Sequence, residues 1–284
     1  MKLASVNIGG KPHFGALTER GFVDLTAQFG ARCTDLRQFL AAGLIGEAER
    51  LLPSAPAIPA EGLVFERVIP NLDARMFALG WSYKDHQLET GKDAPTHPFI
   101  FSKHPQSMVG HGRALHKPRA SQRYDFEGEI AIVIGKAGRH ISPERAMDHI
   151  AGYTIVMDGS ARDWQQHSIT AGKNFDASSA CGPWLITRDE IPEPEQMELV
   201  TRINGTEMQR TSFALMAWKL DELVAYVSTI CRLEVGDSIS TGTPAGVGNK
   251  RVPPVYLTVG DVLTVEVSGI GVLSNPVIDE PPSQ

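Results

Sequence analysis

The chain has 284 residues, 42% hydrophobic and 21% charged, with a formal net charge of −6 at pH 7. A core of that size needs no disulfide or structural metal to hold it, and the acidic balance disfavours nucleic acid as a partner. No apolar run approaches the roughly 18 residues of a membrane span, and Asn7, Gly9 and Lys11 interrupt any export signal, so a cytoplasmic protein is expected.

From the N-terminus, Ala4, Val6 and Ile8 alternate with Ser5 and Asn7, the period of a strand, and Gly9-Gly10 suits a hairpin turn. Thr34 is predicted to cap a short helix carrying Leu36, Phe39 and Leu40, ended by Gly43. Pro53-Ser54-Ala55-Pro56-Ala57-Ile58-Pro59 reads as a linker or irregular loop. Residues 1–70 are therefore expected to form a small N-terminal α/β domain, followed by a larger unit over 71–284. Ser82 and Asp85 have capping-box spacing, with Gly91 as a helix stop. The run from Glu129 to Gly135 has strand length, as does Thr154-Ile155-Val156-Met157. Ser142-Pro143-Glu144 opens a helix predicted to end before Gly152. Leu199, Thr201 and Ile203 alternate up to Asn204-Gly205, a strong hairpin turn. Leu220, Leu223, Val224, Val227, Ile230 and Cys231 repeat at helical spacing and predict a core-facing stripe. Leu263, Val265 and Val267 mark a half-buried strand. With no internal repeat and no regular strand–helix alternation, the fold class is α+β and strand-dominated. Cys33, Cys181 and Cys231 lack C-x-x-C spacing and read as reduced thiols, not a zinc site.

Four features can carry chemistry. Glu127 and Glu129 are two apart beside a strand, and such positions share a face. Paired carboxylates repel, so they share a proton, hold a cation, or lie solvated on an outer face. Asp158 ends an apolar strand and can supply a third oxygen; Arg162 and Asp163 read as a structural ion pair. His86 and Glu89 are three apart on one helix face, the arrangement of a base and its orienting partner, or of a surface ion pair. Lys173, among glycines, can offset negative charge, and the segment from Gly236 to Gly248 reads as a substrate-facing loop offering the Thr243 hydroxyl and backbone N–H groups. That loop lacks the Lys-Ser/Thr of a phosphate-binding loop.

The order and spacing of these pieces resemble the fumarylacetoacetate hydrolase family over about residues 73–277. The motifs are Tyr83-x-x-His86-x-x-Glu89, Phe101-x-Lys103, Asp125-x-Glu127-x-Glu129, Asp158-x-x-x-Arg162-Asp163-x-Gln165, Gly172-Lys173, Gly182-Pro183 and Thr241-Gly242-Thr243-Pro244-x-Gly246-x-Gly248. The resemblance implies mixed β-sheets rolled around the active site, a catalytic domain over 71–284, and commonly a homodimer. It implies one Mg²⁺ or Mn²⁺ held by Glu127, Glu129 and Asp158. His86 and Glu89 would lie on a short lid helix, Lys173 would face the metal, and Tyr83, Arg162, Gln165 and Thr243 would contact substrate. Trp81-Ser82 departs from the Asn that many members carry before the tyrosine.

The expected substrate is a small anionic 2-oxo acid. The leading expectation is hydrolysis of a C–C bond in an acylpyruvate, with His86 activating water. The alternatives are a decarboxylase or isomerase of 2-oxo- or 2-hydroxy-diene-dioates in aromatic catabolism, and a non-catalytic scaffold. Contacts to the distal end of the substrate are expected within residues 84–120.

Overall fold

The computed structural model describes residues 1–90 and 95–282. Strands dominate. Among the described residues, one sheet contains eleven strands and a second contains five. The centre of the large sheet is the Gly128–Ile134 strand, antiparallel to Ile150–Met157 on one side and to Ser238–Ser240 on the other. Every residue of Gly128–Ile134 is buried, so alternation places side chains in two different cores. Ile130, Ile132 and Ile134 pack into a cluster with Leu199, Leu263, Val265 and Leu273 of the five-stranded sheet and with Leu223, Val224 and Val227 of the Leu220–Ile230 helix. Ala131 and Val133 face the opposite way, into a cluster with Leu3, Phe14, Phe29 and Phe39. A strand buried on both faces accounts for its near-continuous apolar run.

The sheet does not stop at the boundary expected near residue 70. Lys2–Ile8 pairs with Ser179–Thr187 through Lys2↔Ile186 and Leu3↔Leu185, and hairpins onward through Lys11–Thr18. The first residues thus extend the large sheet and share its core, while 53–59 is an irregular segment from which Ile58 bridges back to Phe22.

Several local expectations are corrected. The cap of the Leu36–Ala41 helix is Asp35, whose carboxylate accepts from Gln38 N–H at 2.8 Å, not Thr34. The Pro143–Ala146 helix, continued by a tighter turn over Met147–His149, ends before Gly152 as expected, because Ile150 already pairs in the sheet. Ile230 and Cys231, at the end of the helical stripe, are not buried: Ile230 is 57% exposed. The Lys84–Thr90 helix begins after Ser82 as the spacing suggested; Gly91, its expected stop, lies outside the described residues. Among the described residues, no helix is long and apolar enough to cross a membrane.

Candidate metal centre and active site

The antiparallel register of the two central strands builds the carboxylate cluster. Gly128 lies opposite Met157 and Glu129 opposite Val156; one step further, the Asp158 N–H donates to the Glu127 carbonyl at 2.8 Å. Glu127 and Asp158 are therefore cross-strand neighbours, and Glu129 joins them diagonally on the same face. Ligand atoms of Glu127, Glu129 and Asp158 all lie within 4.8 Å of one another, and all three residues are buried.

Three cations answer this charge. Lys173 contacts the Glu127 carboxylate and reaches Asp158 Oδ2 at 2.6 Å. Lys103, fully buried, donates to Asp158 Oδ1 and Ser179 Oγ, each at 2.7 Å, and to the Lys173 carbonyl. Arg162 donates to Glu127 Oε1 at 2.6 Å, Asp125 Oδ2 at 2.8 Å and Gln165 Oε1 at 3.1 Å. The expected Arg162–Asp163 pair does not form; Asp163 instead accepts from Ser121 and the Gln122 N–H. Burial works against the charge of Glu127, but Lys173 and Arg162 overcome it and hold its carboxyl down at about 2. Burial also opposes the Lys173 ammonium, and Asp158 and Glu127 more than restore it. Lys103 is shifted down by burial despite Asp158.

Glu129 is the exception. Its Oε2 accepts from the Ser240 hydroxyl and from Gly242 N–H at 3.2 Å, but Oε1 is buried with no hydrogen-bond partner. Burial, then Asp158 and Glu127, push its carboxyl well above the usual range. An orphaned acceptor beside two further carboxylates is the donor set of a hard divalent cation, which takes oxygen ligands. Counting Asp125, four carboxylates face three cations, a formal −4 against +3. The residues present therefore fit one divalent ion, and its charge would leave the site net positive toward an anionic ligand.

The Thr241–Asn249 loop lines the cleft through Thr243, Val247 and Asn249 and also braces its acids. Its N–H groups go to carboxylates: Gly242 to Glu129, Gly246 to Glu89 Oε1 at 2.9 Å, and Gly248 and Asn249 to Asp125 at 2.8 and 3.0 Å. Gly242 has φ +86°, and a Cβ there would lie 2.0 Å from Ser82 Oγ, so only glycine lets the loop approach this closely. The Thr243 hydroxyl is likewise committed, donating to the Gly128 carbonyl at 3.0 Å and accepting from Gln209 Nε2 at 2.8 Å.

His86 Nδ1 lies 2.9 Å from Glu89 Oε2. Burial disfavours the Glu89 charge, but His86 and Gly246 N–H outweigh it and hold the carboxyl below its ordinary value. With Nδ1 engaged, Nε2 is the nitrogen left to exchange a proton. His86, Glu127, Arg162, Gln165, Lys173 and Thr243 all line one cleft of about 240 Å³. Gly172 permits this packing: a Cβ there would sit 2.1 Å from Gln165 Cγ. Tyr83, expected to touch substrate, is instead fully buried, bridges to Met216 and does not line the cleft. Asp125, Lys103 and Gln209 carry roles that the sequence reading did not assign. Gln209 is legible only as a polar residue at an inward position of its strand.

Comparison with known proteins agrees with this geometry. Residues 75–278 match the family model described as fumarylacetoacetate (FAA) hydrolase, C-terminal. The mitochondrial oxaloacetate tautomerase fahd2 of Xenopus laevis is 36% identical over 275 residues, covering 94% of this chain and 86% of that protein. The oxaloacetate tautomerase YisK of Bacillus subtilis is 41% identical over 215 residues, covering 74% and 71%. A fumarylacetoacetate hydrolase structure from Exiguobacterium antarcticum superposes with a TM-score of 0.87 at 33% identity, covering 99% of this chain and 100% of that one. The cytoplasmic expectation does not stand, because relatives that span nearly the whole chain, from frog to human, are mitochondrial proteins.

Proposed function

This chain belongs to the fumarylacetoacetate hydrolase family, and from that premise we propose that it interconverts the enol and keto forms of a small 2-oxo dicarboxylic acid of the oxaloacetate kind. The observation that carries the reading is a single cleft holding both the carboxylate–lysine cluster and the His86–Glu89 pair. The similarity to tautomerases at 36% and 41% identity favours proton transfer over bond cleavage.

Glu127, Glu129 and Asp158 would hold one Mg²⁺ or Mn²⁺, which when bound supplies the Lewis acidity that favours charge on a 2-oxo oxygen. In the keto-to-enol direction, His86 Nε2 takes a proton from C3 of the substrate. The C–H electron pair becomes the C2–C3 double bond, and the C2–O π pair moves onto oxygen, which then takes up a proton. Ketonisation is the reverse. Glu89 fixes the histidine tautomer and steadies the imidazolium. Lys173 and Arg162 add positive potential at the end of the cleft where oxygen gains charge, and Gln165 keeps Arg162 in place.

The acylpyruvate hydrolysis expected from the sequence is the second reading. The likeness to a fumarylacetoacetate hydrolase structure favours it, and the same His86 would then act on water. The two separate in one experiment. With Mg²⁺ or Mn²⁺, decay of enol absorbance from oxaloacetate is expected to accelerate, with no pyruvate released from acylpyruvates. Pyruvate release without enol decay would establish the hydrolase instead.

A further inference from the structure

The cleft has two chemically different ends. Its inner end carries Glu127, Arg162 and Lys173, all engaged in ion pairs. Its waist is apolar, formed by Leu79, Trp81, Phe99 and Phe101, with the Trp81 and Phe99 rings 4.7 Å apart. Lys250 lines the cleft from the other side and is exposed. Among the described residues, it is the one lysine or arginine of the cleft that makes no ion pair at contact distance, although its charge reaches the Glu89 carboxyl.

The backbone that carries Lys250 is fixed while its ammonium is not. Gly248 and Asn249 N–H groups are anchored on Asp125 at 2.8 and 3.0 Å, and Lys250 N–H closes a turn onto the Val247 carbonyl at 3.1 Å. Arg251 is occupied by the carbonyls of Gly246 and Met208. The Tyr256 hydroxyl donates to Asn249 Oδ1 at 2.8 Å, leaving the Asn249 amide N–H₂ as a second donor beside Lys250. An inner end that one divalent ion would make net positive, a short apolar waist and a cation free of contact ion pairs match a ligand with an anion at each end and hydrocarbon between.

We propose that Lys250 binds the distal carboxylate of the substrate and selects dicarboxylic over monocarboxylic 2-oxo acids. This rests on the 2-oxo acid reading above and names its substrate class. It also places the distal contact outside residues 84–120, from which His86, Phe99 and Phe101 line the cleft among the described residues.

The test is equilibrium binding to the Mn²⁺-loaded full chain, comparing 2-oxoglutarate with 2-oxopentanoate. The two share chain length and the 2-oxo acid head and differ in the distal carboxylate. One charge-assisted hydrogen bond corresponds to roughly tenfold or more in affinity, so the wild type is expected to prefer the diacid by about that factor. Lys250→Gln is expected to bring the ratio close to one with 2-oxopentanoate affinity unchanged, and Lys250→Arg to retain the preference. A wild type without preference, a preference surviving in Lys250→Gln, equal loss for both ligands, or no binding of either would overturn the proposal. The binding ratio requires no turnover, so a protein that prefers the diacid yet leaves enol oxaloacetate untouched would refute the tautomerase reading alone.

Discussion

Replacing Glu129 by glutamine removes one charge from the carboxylate cluster at nearly constant shape, and it separates the energetics of the metal-free and metal-bound protein. Ligand atoms of the cluster lie within 4.8 Å of one another; at that separation two like charges repel by roughly 3.5 kcal/mol at an effective dielectric near 20. Glu129 has two such neighbours. Lys173 offsets part of this, and uptake of a proton caps the rest, leaving a net cost of about 1–3 kcal/mol at neutral pH. Without metal, Glu129→Gln is therefore expected to raise Tm by several degrees, at about 2–4 °C per kcal/mol. The sign with pH follows. A carboxyl whose folded pKa is raised favours the fold below its ordinary pKa and loses that contribution as pH rises through the folded value. The advantage of the variant should thus widen from the ordinary carboxylate range upward. With Mn²⁺ at a hundred times the wild-type Kd, the wild type gains about 2.7 kcal/mol. A variant with a hundredfold weaker site gains less than about 0.5 kcal/mol at the same concentration. Thermal melts with and without Mn²⁺ across pH measure all of this. A metal-free variant less stable than wild type, or one with an undiminished Mn²⁺ shift, would refute the reasoning.

Two further outcomes are expected. Glu89→Gln should lower kcat by roughly 10²-fold while leaving Mn²⁺ affinity intact. Because the Glu89 carboxyl is depressed by His86 and Gly246 against its burial, its stabilising contribution is present above the ordinary carboxylate pKa and lost as pH falls through the folded value, so the variant should show a shallower acid loss of Tm. Lys103→Met leaves Asp158 Oδ1 and Ser179 Oγ without their shared donor; a loss of about 3–5 kcal/mol, read by denaturant unfolding, is expected for removing one partner of a buried pair.

The individual carboxylates were legible in the sequence because each sits in a local pattern. Glu127 and Glu129 stand at the spacing of one strand face, and Asp158 closes an apolar run. What joins them is the pairing of Gly128–Ile134 with Ile150–Met157, a register between segments about twenty residues apart that neither segment specifies alone. The glycine-rich loop lines the cleft through Thr243, Val247 and Asn249, but several of its N–H groups serve Glu129, Glu89 and Asp125, because backbone donors leave no trace in residue type. Tyr83 was misplaced for a related reason. Its substrate role came only from the family motif, and a motif does not say whether a side chain just ahead of the Lys84–Thr90 helix meets the cleft or the core. Lys103 stood in a family motif but was given no role, because lysine is ordinarily a surface residue and its burial is sensible only beside Asp158. The N-terminal boundary was drawn near residue 70, while the pairing of Leu3 with Leu185 continues one sheet across it.

The central claim is that Glu127, Glu129 and Asp158 hold a single divalent ion. It is tested most directly by diffraction from Mn²⁺-soaked crystals at the manganese absorption edge. One anomalous peak within coordination distance of oxygens from all three carboxylates, including the orphaned Glu129 Oε1, is the expected result. A peak elsewhere, or none while Glu129 Oε1 stays unpartnered, would contradict it.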